Sequence, residues 1–213
     1  MSMNFELFLN ALPAFREVEV DGRSAHEEIL PVLAKERREA FKNDRAPKIS
    51  AVAATIFSKE GEAHVLLIER QSYDGVHSGQ VGFPGGKREE GDSDLQGTAL
   101  REMEEEVGVP RSMPQFVRLL SEVYIPPSRF FVHPFVYVLE ELPPLTQDPR
   151  EVKDVIHLPL AHLLDERNVV EGKIKTSYGL PIKTPYFEFD HFKIWGATAM
   201  MLSEMKQMLL KIR

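Results

Sequence analysis

Apolar positions near the start of the chain recur at helical spacing: Phe5, Phe8, Leu9 and Leu12 share one face, and Pro13 is expected to disrupt the pattern. Residues 24–40 carry a second helical pattern that Pro31 breaks or bends, and its tail KERREAFKNDR reads first as a solvated face and second as a phosphate-contacting patch. After Pro47 the period changes. Residues 49–57 and 63–68 read as strands of a hairpin closed by Ser58-Lys59-Glu60-Gly61-Glu62. The stretch around Gly82, Gly85, Gly86 and Gly91, with Pro84 among them, is expected to form no regular element. Residues 95–107 then make a proline-free helix, with Asp94 as its cap and Gly108 placed to end it in the left-handed conformation. Two further strands, 116–125 and 131–139, flank a turn at Pro126-Pro127-Ser128-Arg129. A short strand at 152–158, a short helix or turn at 159–164, and a hairpin of 184–189 with 192–195 through Asp190-His191 follow. The final helix covers 196–212, and its Met200, Met201, Met205 and Met208 read as adaptable core packing.

Composition narrows the class. A chain of 213 residues, 43% hydrophobic and without internal repeats, can build one domain with a substantial core and a small terminal appendage. With 33 acidic and 26 basic side chains the formal charge is -7, and no basic block interleaved with aromatics suggests a nucleic-acid surface. There is no cysteine, which excludes disulfides, thiolate nucleophiles and thiolate-held metals. Residues 1–15 lack a basic leader with a continuous apolar run, and no segment approaches about 18 uninterrupted apolar residues; a soluble cytoplasmic protein without membrane association is the expectation.

The candidate chemistry lies in residues 82–109, GFPGGKREEGDSDLQGTALREMEEEVGV. At about 100° per residue, Glu102, Glu105 and Glu106 share one helical face while Glu104 points away. Ala99, Leu100, Met103 and Val107 form the adjoining arc, so one side of the helix can be buried beside an acidic edge. Crowded carboxylates are compensated most simply by divalent cations, and hard oxygen donors suit Mg²⁺ or Mn²⁺ rather than zinc. A solvated acidic face is the competing reading of the EEE run.

The spacing between glycine loop and helix resembles the Nudix box, G-x5-E-x7-R-E-U-x-E-E-x-G-U with U apolar. Arg101, Glu102, Met103, Glu105, Glu106, Gly108 and Val109 match its second half; in the first half Asp92 stands for the glutamate, and eight residues rather than seven separate it from Arg101. That expansion resembles the coenzyme A pyrophosphatase branch, whose upstream signature is matched by Leu66, Leu67, Arg70, Gly79 and Phe83-Pro84-Gly85-Gly86, while Ile68, Gln71 and Gly75 depart from it. YIPPSRFFVHPFV is similar to that branch's SGF-containing segment, with Arg129 in place of glycine, and PYFEFDHFKIWGATAMML to its C-terminal part. The resemblance covers residues from about 49 to the end.

The resemblance implies an α/β/α Nudix sandwich with a mixed central β-sheet at 46–213, preceded by an N-terminal helical extension, 1–45, packed on it. It implies Mg²⁺ or Mn²⁺ held by the Gly85 carbonyl and by Glu102, Glu105 and Glu106, with Arg101 positioning the glutamates and Glu105 or Glu106 also serving in proton transfer. The implied reaction cleaves the diphosphate of coenzyme A or its acyl derivatives to 3',5'-ADP and 4'-phosphopantetheine products. Hydrolysis of ADP-ribose, NADH or another nucleoside diphosphate derivative is the alternative within the family, and a catalytically inactive nucleotide-sensing or protein-binding domain the alternative outside it. Arg70, His77, Ser128 and Arg129 are the candidate substrate contacts, each weighed against a bracing or turn-packing role, and Tyr73 is a candidate base-stacking residue. Glu151, Glu89, Glu90 and Asp92 are further candidate ligands or bases, and His133 reads as structural. The partner is a small nucleoside diphosphate derivative, and a homodimer is compatible with the chain.

Overall fold

The computed structural model describes residues 3–30, 46–72, 79–175 and 181–212. Two helices open the chain, α1 (Phe5–Glu17) and α2 (Gly22–Glu28). Asn4 caps α1 by accepting from the backbone N–H groups of Glu6 and Leu7. Pro13 does not end α1, contrary to the expectation. The hydrogen bond it removes is offset by tertiary contacts on either side: Phe8 and Phe15 are fully buried, and Arg118 Nη1 donates to the carbonyls of Phe15, Arg16 and Val18 at the helix end. The second expected helix starts at Gly22 rather than residue 24, capped by Asp21; its remainder beyond residue 30, including Pro31 and most of the charged tail, lies outside the described residues.

The main sheet contains β1 (Lys48–Lys59), β2 (Glu62–Arg70), β3 (Val81–Gly82), β4 (Gly85–Lys87), β5 (Gln115–Leu119), β6 (Val123–Ile125), β7 (Phe130–Leu139) and β8 (Val152–Pro159). It is mixed. β1 runs parallel to β7 from Lys48↔Phe130 to Phe57↔Leu139, and the other pairings are antiparallel. Glu60 and Gly61, both at positive φ, close the β1–β2 hairpin between the paired Lys59 and Glu62.

The strands are buried on both faces, which explains their nearly continuous apolar runs. Ala51, Ala53 and Phe57 of β1 join Leu66, Ile68, Phe135 and Tyr137 under α3 (Leu95–Val107), against its Ala99, Met103 and Val107. Ala54 and Ile56 point the other way, into a cluster with Val65, Leu67, Val136, Phe8, Phe15 and the last helix, α5 (Gly196–Lys211). Helices therefore flank the mixed sheet as an α/β/α sandwich. Met200, Met201, Met205 and Met208 are all buried in the second cluster.

Three local expectations are corrected. The glycine-rich stretch contributes β3 and β4, because Gly85 and Gly86 lie close enough to Val52 and Ala51 to join the ladder. The single strand expected at 116–125 is two, since at the break Leu120 N donates to Pro134 O and Ser121 N to the buried Glu204 carboxylate. A small separate sheet adds an unforeseen strand, β9 (Val169–Lys175), to the anticipated hairpin of β10 (Pro181–Phe189) and β11 (Phe192–Ile194). The short α4 (Leu160–Leu163) lies where a helix or turn was expected.

Candidate active site

Three chain segments meet at the buried edge of α3. Asp94 caps that helix through the Gly97 N–H, and Gly108, at φ 78°, ends it in the left-handed conformation. Its last carbonyls are not left to solvent: Thr146 N donates to Val107 O and Asp148 N to Glu106 O. The same loop reaches the end of β2, where Gln71 N donates to Glu151 O and Gln71 Nε2 to Pro149 O. Helix end, strand end and loop are thus tied together by backbone bonds.

Glu106 lies at the centre and is 1% exposed. Its Oε2 accepts from Gly85 N at 2.8 Å, while Oε1 lies 3.1 Å from Arg70 Nη1 without meeting hydrogen-bond geometry. The same Nη1 donates to Gly85 O at 3.4 Å. Arg70 is aimed there by a register irregularity between Glu69 and Arg70 at the end of β2. Burial pushes the Glu106 carboxyl up to about 8; the Arg70 guanidinium and the Gly85 N–H oppose this, and the Glu102 and Glu151 carboxylates add to it. Burial also raises Glu102, against the pull of Arg101 and with the push of Glu105 and Glu151.

Arg101 brackets the other carboxylates. Its Nε and Nη2 donate to the two oxygens of Asp92 at 2.8 and 3.2 Å, Nη1 reaches Glu105 Oε2 at 3.0 Å, and Nη2 lies 3.0 Å from Glu102 Oε1 and donates to Lys87 O at 3.1 Å. Asp92 also accepts from Glu89 N and Thr98 Oγ1, and the paired Arg101 holds its carboxyl well below the usual carboxylate range. The loop acid at the expanded box position is therefore a bracket for Arg101. Glu105 remains half-exposed, Glu104 turns away to Arg111, and Glu89 and Glu90 are exposed.

Two glycines make the approach of loop to helix possible. A Cβ on Gly86 would press into the Glu102 carboxylate, and one on Gly85, at φ 154°, would lie 2.5 Å from Ala51 O and 2.6 Å from Val52 Cα.

Other candidates are placed differently. Ser128 and Arg129 lie in the turn before β7, where Lys48 N donates to Arg129 O and Arg129 Nη2 donates to Ala46 O at 3.5 Å; Ser50, two residues along β1, pairs with Lys87 of β4. Ser128 Oγ is buried without a hydrogen-bond partner among the described residues. His77 and Tyr73 lie outside the described residues. His133 contacts Glu122 at 3.0 Å. Thr98 and the Lys87 carbonyl were missed by sequence reasoning; Thr98, six residues from Asp92 in a helix first turn, carried a weak signal, and the carbonyl none.

The donors expected to hold a divalent ion are all oxygens, and each faces a guanidinium: the Gly85 carbonyl and Glu106 face Arg70, and Glu102 and Glu105 face Arg101. That set suits a hard cation. Among the described residues, no three acidic or histidine side chains already stand together as a shell, and two guanidiniums lie between the donors.

Comparison with known proteins decides the family. The NUDIX domain model matches residues 47–177. The chain belongs to the Nudix family. It is 34% identical over 166 residues to the mitochondrial coenzyme A diphosphatase NUDT8 of Homo sapiens, covering 76% of this chain and 70% of that protein. It is 33% identical over 163 residues to the mitochondrial Nudix hydrolase 15 of Arabidopsis thaliana, covering 73% of this chain but only 56% of that protein. Among solved structures, the Nudix hydrolase RenU of M. smegmatis superposes with a TM-score of 0.54 at 14% identity, covering 78% of this chain and 88% of that one, and shares the fold. A MutT/nudix protein from Enterococcus faecalis does so with a TM-score of 0.52 at 13% identity, covering 92% and 76%. This Nudix chain is a pyrophosphohydrolase acting on a small molecule linked through a nucleoside diphosphate. No helix among the described residues is long and apolar enough to cross a membrane.

Proposed function

We propose that the protein hydrolyses the diphosphate of coenzyme A or an acyl derivative to 3',5'-ADP and a 4'-phosphopantetheine product, with Mg²⁺ or Mn²⁺ held by the Gly85 carbonyl, Glu102, Glu105 and Glu106. The observation that carries the substrate is the 34% identity to a coenzyme A diphosphatase across most of this chain. Water's oxygen forms a new bond to one phosphorus as the bridging P–O bond breaks, and no phosphorylated residue intervenes. A divalent ion held by these oxygens would neutralise the diphosphate and lower the pKa of a bound water.

The protein's own groups do the positioning. Arg101 fixes Glu102 and Glu105 from one side, and Gly85 N–H fixes Glu106 from the other. Arg70 supplies positive charge for the diphosphate, with Ser128, Arg129 and His77 assigned to the rest of the substrate. The water proton passes to a carboxylate bordering the site. Glu105, Glu106 and Glu151 are the acceptors in question, the last because its charge acts on both Glu102 and Glu106.

ADP-ribose or NADH is the second reading, favoured by Ile68, Gln71, Gly75 and Arg129 where the coenzyme A signature differs. Mass spectrometry of products from coenzyme A, ADP-ribose, NADH and deoxynucleoside triphosphates, with and without Mg²⁺ or Mn²⁺, separates the two. Metal-dependent 3',5'-ADP from coenzyme A is the expected result; cleavage of ADP-ribose or NADH alone would transfer the assignment to the second reading.

A further inference from the structure

Arg70 is placed unusually for a residue whose only task is to meet substrate. Its Nη1 lies between two oxygens assigned above to a divalent ion, 3.1 Å from Glu106 Oε1 and 3.4 Å from the Gly85 carbonyl. Glu106 Oε1 is buried and lacks a hydrogen-bond donor among the described residues, so the guanidinium offers charge there without directional bonding. Burial disfavours charge on Glu106, and among the described residues Arg70 is the cation in contact with it and opposes that effect. Arg101 cannot stand in, because Asp92, Glu102, Glu105 and the Lys87 carbonyl already take its donors.

The two arginines differ in how firmly they are held. Arg101 is 11% exposed and forms a bidentate pair with Asp92; Arg70 is 23% exposed, sits at a strand end, and among the described residues its side chain makes one long hydrogen bond beside its ion pair. Arg101 is thus the more firmly braced of the two, and Arg70 the more exposed.

We propose that Arg70 is a displaceable cation: it stands against Glu106 and covers the Gly85 carbonyl while the metal is absent, and on metal binding it turns outward to the substrate's diphosphate. The inference rests on the metal reading of this site and adds an exchange of roles that couples metal binding to diphosphate binding. Two cations cannot share the gap between Glu106 Oε1 and Gly85 O, so occupancy by one requires departure of the other. A diphosphate presents the bidentate acceptor that the outward-turned guanidinium fits.

Crystals of the wild-type full chain, grown with chelator and with Mn²⁺ plus ADP as a diphosphate probe, test this directly. Isothermal calorimetry of Mn²⁺ binding to the same protein runs alongside. In the chelated crystal Arg70 Nη1 should stand against Glu106 Oε1; with Mn²⁺ an anomalous peak should bridge Gly85 O and Glu106, and Arg70 should lie beyond about 4 Å from Oε1, the outer limit of an ion pair, contacting ADP phosphate. A peak elsewhere with Arg70 still on Glu106 would overturn the exchange and leave the metal reading intact. So would a chelated crystal in which Arg70 is already away. Flat calorimetry with no anomalous peak would overturn the metal reading itself, and the exchange with it. Arg70→Lys supplies a solution readout: its shorter, non-forked cation should raise KM for the diphosphate by roughly tenfold or more with little change in kcat. An unchanged KM would count against the outward role.

Discussion

The chemistry of individual residues here is set by how deeply each carboxylate is buried and which cation faces it. Glu106 illustrates the sign. Its folded pKa is raised from 4.5 to about 8, so between those values the folded protein holds a proton that the unfolded chain has lost. The stabilisation is full below 4.5 and disappears as pH rises through about 8. Glu102 acts in the same direction, while lowered Asp92 changes stability only under more acidic conditions. In chelator, the melting temperature of wild type should therefore fall between pH 5 and 8, and Glu106→Gln should flatten that fall; equal slopes would place the titration elsewhere. The two glycines make a second contrast. Gly86→Ala pushes only on the flexible end of Glu102, so it should cost little stability but lower kcat by more than about tenfold, whereas Gly85→Ala meets backbone and should lower the melting temperature markedly. Circular dichroism melts with steady-state rates separate the two. The division of Glu102, Glu105 and Glu106 from Glu104 was legible in helical spacing alone. The meeting of Arg70 with Glu106 and Gly85 was not, because it depends on strand register and a bulge that local pattern does not encode.

At the scale of elements, loop and helix form one unit through Asp92, which ties the Glu89 N–H and Thr98 Oγ1 to Arg101. Asp92→Asn keeps the shape but removes the charge that orients Arg101. The variant should remain folded with a melting temperature lower by a few degrees, while metal-dependent turnover drops by more than about tenfold. Unaltered turnover would show that Arg101 holds its orientation without Asp92. Helix α3 was legible to the residue, since cap, apolar arc and terminal glycine all agree locally. Elements decided by tertiary contact were less so. Pro13 is carried within α1 because flanking aromatics are buried, and β3 and β4 exist only because a neighbouring strand accepts glycine backbone. The break at 120–122 is made by Glu204, more than eighty residues away in sequence.

The whole molecule binds its first two helices to the rest through both apolar and polar contacts. Met3, Phe5, Phe8, Phe15 and Ile29 belong to the same buried cluster as α5, and His26 Nε2 meets Glu204 Oε2 at 2.9 Å where both are almost fully buried. Ser121 completes that carboxylate's partners. His26→Ala should cost about 2–3 kcal/mol by leaving a buried carboxylate short of a partner, or several degrees of melting temperature, with kcat unchanged because the pair lies outside the glutamate site. A fall in kcat without loss of stability would contradict this separation. Sequence pattern identified apolar faces in this region, but not the His26–Glu204 pair, whose members are 178 residues apart.

The central claim is that water cleaves a diphosphate at the α3 site. The most direct measurement is coenzyme A turnover in H₂¹⁸O with Mg²⁺ or Mn²⁺, followed by mass spectrometry of both products for wild type and Glu106→Gln. One ¹⁸O in one of the two phosphate-containing products, dependent on metal and reduced by at least about a hundredfold in the folded variant, is the predicted result. Products without ¹⁸O, or equal turnover by wild type and Glu106→Gln, would contradict it.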